Sequence, residues 1–233
     1  MSEHADTKDP LEQLTGPCRI YFGLICFSLA GSLFSKLSGM SPGPVAPIAS
    51  ALTIGLGFAT VFEPMFKDRN LRQVGVIGFA LVCSAAAELT GLMTGLPFGR
   101  YEYTENWAPT VIVAGKLFPV LLAPAWLLIV GASTQVFSKS KAPVLLGALL
   151  ATAVDFVMEP VMAGPLGYWH WKERGPLPGG AALLNPVGWF LTAAIVGYVV
   201  TLSGVENRRS AGIVLCTHVG FTFCIGLIAL IPR

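Results

Sequence analysis

The chain has 233 residues, 54% of them hydrophobic and only 12% charged, with a mean hydropathy of +0.68. Soluble domains carry about 25% charged residues, so a water-soluble globular protein is excluded and a polytopic, all-α membrane protein is expected. The net charge of +2 comes from basic residues scattered between apolar runs, with no stripe or tract that would neutralise phosphates, which sets nucleic acid aside as a partner.

The first sixteen residues, MSEHADTKDPLEQLTG, are polar and lack the basic-then-apolar order of a cleavable signal, which predicts a disordered cytoplasmic tail over residues 1–16. Residues 17–233 then read as a single transmembrane domain. A helix needs about 20 apolar residues to span the hydrocarbon core, and seven stretches reach that length: Cys18 to Leu37, Val45 to Phe66, Gln73 to Gly95, Thr110 to Gln135, Ala142 to Ala163, Asn185 to Ser203 and Ala211 to Ile231. Helix is expected because lipid offers the backbone no hydrogen-bond partners, and the short alternating segments of a closed barrel are absent. A bundle of seven transmembrane helices follows.

Orientation rests on the basic flanks. Lys8, Arg19, Lys67, Arg69, Arg72, Lys139, Lys141, Arg208 and Arg209 share one side, against Lys36, Arg100, Lys116, Lys172, Arg174 and Arg233 on the other. The richer side holds the N-terminus, which is therefore predicted inside. The two long aromatic-rich connections, Leu96 to Pro109 and Gly164 to Leu184, then lie together on the outer face. All five cysteines (Cys18, Cys26, Cys83, Cys216, Cys224) fall in apolar runs without metal-ligand spacing, as small hydrophobes do.

The stretch Ala85 to Trp107 is where the chain concentrates its unusual features. An apolar run carries Glu88 to within about two turns of its end, then breaks into Leu-Pro-Phe-Gly-Arg-Tyr-Glu-Tyr. An acid at a helix centre in a membrane costs about 2.5 to 3.5 kcal/mol, so each one calls for a function or a partner. Glu88 shares a helix face with Gly91, Leu92 and Gly95, small residues that let a neighbouring helix or ligand come close. Asp155 and Glu159, four apart, also share a face, and two carboxyls so placed in low dielectric do not both ionise easily, which keeps a proton available for general acid catalysis. Asp155 stands before Ala-Gly-Pro-Leu-Gly-Tyr-Trp much as Glu88 stands before its own turn, a weak repeat of acid, helix and lid. The competing reading is a buried ion pair with Lys116 or Arg100, or an interhelical hydrogen bond. Glu63, beside Pro64 at the inward end of its span, reads as interfacial or structural.

Tyr101, Tyr103, Trp107, Tyr168, Trp169, Trp171 and Trp189 cluster in or near the outer connections. They read either as an interfacial belt or as ring faces that stabilise a transient cation. Asn185-Pro186 is a helix start, Asn as cap and Pro at the first position, and the Asn185 amide is a candidate to face the site. Three histidines, His4, His170 and His218, are too few for a histidine-rich di-iron site, and His218 reads as a hydrogen-bonded core residue. No GxGxxG follows a strand, no aspartate-rich diphosphate motif is present, and Lys116, placed in the fourth span, cannot be a seventh-helix Schiff base. Chemistry needing only a proton, a cation-tolerant pocket and water remains, on a lipid-soluble substrate.

The segments Glu88-Leu-Thr-Gly with Gly95-Leu-Pro-Phe-Gly-Arg-Tyr-Glu-Tyr, and Asp155-Phe-Val-Met-Glu-Pro followed by Trp169-His-Trp and Leu184-Asn-Pro-Val-Gly-Trp189, resemble the CruF-type membrane carotenoid hydratases, the group that includes bisanhydrobacterioruberin hydratase and gamma-carotene hydratase. The resemblance implies cofactor-independent addition of water to the terminal C1=C2 bond of an acyclic carotenoid end, by an enzyme of the inner (plasma) membrane. It also implies a carotenoid, membrane lipids and other carotenoid-pathway enzymes as partners, and no metal. Glu88, Asp155 and Glu159 would be the catalytic acids. Tyr101, Tyr103, Trp169, Asn185, Trp189 and Arg100 would bind substrate. Two alternatives stay open: a carotenoid cyclase that begins with the same protonation, and a proton-coupled transporter of small solutes or lipids.

Overall fold

The computed structural model describes residues 14–232; all but the end of the expected disordered tail lies outside them, and Gly16 already begins a helix. The chain is a helical membrane protein. In order, its elements are α1 (Gly16–Ser38), α2 (Val45–Val61), the single-turn α3 (Glu63–Lys67), α4 (Leu71–Thr94), β1 (Tyr101–Tyr103), β2 (Thr110–Val113), β3 (Lys116–Pro119), α5 (Leu122–Val136), α6 (Pro143–Met162), β4 (Trp169–Trp171), α7 (Asn185–Ser203) and α8 (Arg208–Leu230). Short 3-10 turns lie at Glu105–Trp107 and Pro178–Gly180. Five helices, α1, α4, α6, α7 and α8, are long and apolar enough to cross a membrane, while α2 and α5 are apolar but shorter, at 17 and 15 residues.

Two of the expected spans are corrected. The stretch Val45 to Phe66 breaks at Phe62, where Glu63 and Pro64 start α3. Glu63 pairs with Lys67 at 2.7 Å, in keeping with a structural role at a helix end. In Thr110 to Gln135 only the second half is helical. The first half is an antiparallel hairpin, Thr110 opposite Pro119 and Val113 opposite Lys116, closed by Ala114 and Gly115 at φ 49° and 78°. Such a two-residue turn needs positive φ at both centres. The β-branched run Thr-Val-Ile-Val between two prolines fits a strand better than a helix. Lys116 therefore lies in the hairpin, outside any span, and its ammonium donates to the Leu92 carbonyl at 2.5 Å.

The shortness of α5 fits its position at the centre of the bundle, against α2, α4, α6, α7 and α8. It is buried at every position from Trp126 to Gln135, the signature of a core helix with no lipid face. Small residues bring its neighbours close. A Cβ on Gly147 would stand 2.7 Å from the Thr134 backbone, and one on Gly197 2.8 Å from Thr134 Oγ1, the usual device where apolar helices meet in lipid. The outer helices instead present apolar side chains outward, among them Phe22, Phe79, Ile195 and Leu227.

At one end of the bundle the two long connections meet as expected, joined by a two-stranded antiparallel sheet of β1 and β4. Tyr101 lies opposite Trp171, Glu102 opposite His170 and Tyr103 opposite Trp169. Side chains alternate across a strand, so the tyrosines and tryptophans turn toward the bundle, whereas Glu102 and His170 are exposed. On that outer side Glu102 pairs with Lys172 at 2.5 Å.

Candidate active site

Beneath this sheet lies a cavity of about 840 Å³, within the size range of small-molecule sites. Glu88 from α4, and Asp155 and Glu159 from α6, all border it. Each is at most 5% exposed.

Glu88 is held from three directions. Tyr101 donates its hydroxyl to Oε1 at 2.5 Å, Tyr103 donates to the same oxygen, and the Trp126 indole N–H donates to Oε2 at 3.0 Å. Burial, reinforced by the Glu88 charge, pushes both phenols above their ordinary value, so they remain donors. The approach is possible because α4 and α7 carry glycine where the turn after α4 crosses them. A Cβ on Gly91 would stand 2.6 Å from the Phe98 ring and 3.0 Å from the Tyr101 hydroxyl, and one on Gly188 2.6 Å from Phe98. What the small face beside Glu88 admits is thus Phe98, which keys the turn between the two helices.

Glu159 repeats the pattern with different donors. Its Oε1 accepts the Trp169 indole N–H at 3.0 Å and the Trp171 N–H at 2.6 Å. The partner of Glu88 in the repeat is therefore Glu159 rather than Asp155. Asp155 accepts the Asn185 amide at Oδ2, 2.9 Å away, so Asn185 directs its side chain into the site and does not cap α7. Asp155 Oδ1 and Glu159 Oε2 accept no bond from the described residues and are not among the enclosed polar atoms that lack partners, which leaves them open to the cavity.

Among the described residues every donor to the three acids is neutral; the competing reading of an ion pair with Lys116 or Arg100 is not met, while its alternative, an interhelical hydrogen bond, is present at Glu88 and Asp155. Arg100 is exposed and does not border the cavity; its Cγ lies 2.8 Å from where a Cβ on Gly95 would stand. The other expected site residues, Tyr101, Tyr103, Trp169, Asn185 and Trp189, line the cavity with the acids. Sequence reasoning misses Trp126, whose ring stacks on Trp189 at 3.9 Å and 22°. It also does not set Trp171 apart from the other aromatics. An indole N–H inside an apolar span needs an acceptor, and that signal pointed to Trp126.

The arrangement offers acids with open oxygens and aromatic ring faces in one cavity, with Asn185 and His218 among the other polar groups that line it. The sequence profile of the carotenoid biosynthesis protein family matches residues 49–231. The chain belongs to that family. No curated protein and no solved structure matches it. Membership places the chain in carotenoid biosynthesis with an enzymatic role, and the matched segment holds all three acids and both strands of the sheet, while α1 precedes it.

Proposed function

We propose that this family member is a carotenoid hydratase of the inner (plasma) membrane, crossing it seven times with its N-terminus inside. The topology is supported by the basic residues, since Lys67, Lys139, Lys141, Arg208 and Arg209 sit at the bundle end away from the sheet. A central α5 also has less need of full bilayer length than a helix facing lipid.

The observation that carries the chemistry is the bordering of one apolar cavity by three carboxyls whose donors are all neutral. Of the two acids with an open oxygen, Asp155 is the donor, and Asn185 fixes its orientation. Its proton goes to C2 of the terminal trisubstituted alkene; the π electrons become the new C2–H bond and leave a tertiary cation at C1. The stacked Trp126 and Trp189 and the Trp169 ring supply faces for that charge. A water lone pair then forms the C1–O bond, and the surplus proton on oxygen returns to Asp155. The net change is addition of one water, with no cofactor. Glu159 shares the proton with Asp155, while Glu88, with both oxygens engaged, anchors β1 and Trp126.

Expression in a bacterium that makes an acyclic carotenoid, with mass spectrometry of the pigments, tests this. A gain of one water is expected. An isomer of unchanged mass would instead assign a cyclase, and unaltered pigment across acyclic substrates would remove the enzymatic reading.

A further inference from the structure

One buried polar group of the cavity has no part in the scheme above. His218 of α8 borders the cavity and is 7% exposed. Its Nδ1 lies 3.2 Å from the hydroxyl of Tyr21 on α1. Tyr21 is wholly buried, and no other partner for its hydroxyl is found among the described residues. A buried O–H needs an acceptor, so Tyr21 donates and Nδ1 accepts. That assigns the ring proton to Nε2. Nε2 has no protein partner among the described residues, yet it is absent from the enclosed polar atoms that lack one, so it opens on the cavity.

The depth is also right. A Cβ on Gly226 of α8 would stand 3.1 Å from Val161 on α6, and the two helices run the same way. Counting back along both, at about 1.5 Å per residue, brings His218 level with Asp155 to within about one turn.

We infer that His218 Nε2–H is the group that holds the oxygen in this site, first of the incoming water and then of the tertiary alcohol, with Tyr21 as the positioning residue that locks its tautomer. The inference rests on the hydration reading. Water bound through one lone pair keeps the other for C1 and both protons for the carboxyl oxygens. The His218 N–H bond is never broken; every proton transferred passes through Asp155.

The test separates cation formation from cation capture. The full chain is incubated with an acyclic carotenoid in D2O, and deuterium in recovered polyene (protonation at C2 followed by loss of a proton) is compared with alcohol formed. His218→Leu is expected to lower alcohol relative to deuterium exchange by about tenfold, the worth of a neutral hydrogen bond in an apolar site. His218→Gln, which keeps an N–H donor, restores most of it. Tyr21→Phe, which frees the tautomer, lowers the ratio by about threefold. An unchanged ratio in His218→Leu and Tyr21→Phe overturns the inference, and should His218→Leu fail to accumulate, the Tyr21→Phe ratio decides alone. Wild-type protein that gives neither alcohol nor exchange would overturn the hydration reading itself, an outcome distinct from a ratio that does not move.

Discussion

Glu88 and Glu159 each stand on a long apolar helix and each accept two hydrogen bonds at Oε1 from alternate residues of the strand that follows, but the donors are phenols in one case and indoles in the other. A third donor, Trp126, closes Oε2 of Glu88, whereas Oε2 of Glu159 stays open and Asp155 beside it carries a single bond. A protonated carboxyl needs an oxygen free to donate. One framework thus yields a filled acceptor that holds structure and an unfilled pair able to give up a proton.

The sharpest test of that division is Asp155→Asn, which is expected to lower hydration at least about a hundredfold, the contribution of a general acid, with the protein still accumulating in the membrane; pigment analysis reads it. Glu88→Gln should act mainly on stability. An amide there offers one acceptor oxygen to three donors and turns its own donors toward phenols, a mismatch of about 1–3 kcal/mol measurable by unfolding in detergent. Trp171→Phe removes one of two donors to Glu159 and is expected to cost about 1 kcal/mol. Similar stability losses in Glu88→Gln and Asp155→Asn, with equal loss of turnover, would erase the distinction between the two clusters.

Alkaline pH probes the phenol side of that comparison. Phenols of the unfolded chain ionise near 10.0, while those of Tyr101 and Tyr103 are held above that by burial and by Glu88. The folded state therefore keeps protons that the unfolded state releases, so this contribution is complete below pH 10 and declines as pH rises beyond it. The melting temperature should drop above pH 10, and drop less steeply in the Tyr101→Phe/Tyr103→Phe double variant. The smallest effect belongs to Lys172→Ala. Its pair with Glu102 faces outward, where solvent screening leaves exposed ion pairs little worth, and no measurable change in activity is expected.

Much of this organisation was legible in the amino-acid sequence because membrane burial is costly for acids. That cost alone singled out Glu88, Asp155 and Glu159, and the matching outer connections placed aromatic residues near them. Apolar length was a poorer guide: it made a span of Thr110 to Gln135 although two prolines, a β-branched run and Gly115 marked a hairpin in its first half. Tyr-Glu-Tyr and Trp-His-Trp also carry the period-2 alternation of strands, which a reading of these stretches as connections between spans does not register. Arg100 is expected at the site from the resemblance, yet it is exposed and outside the cavity, as alternation puts the neighbour of an inward Tyr101 on the opposite face. Trp126 lay in sight but needed the third dimension to meet Glu88, 38 positions earlier in the chain.

The β1–β4 ladder has a mechanical consequence. Tyr101, Tyr103, Trp169 and Trp171 are rungs of a single board laid across two helices, so a push on either strand is felt by all four. A ligand that lifts the board withdraws bonds from both glutamates at once, and the two acids loosen or tighten in step although no direct bond joins them.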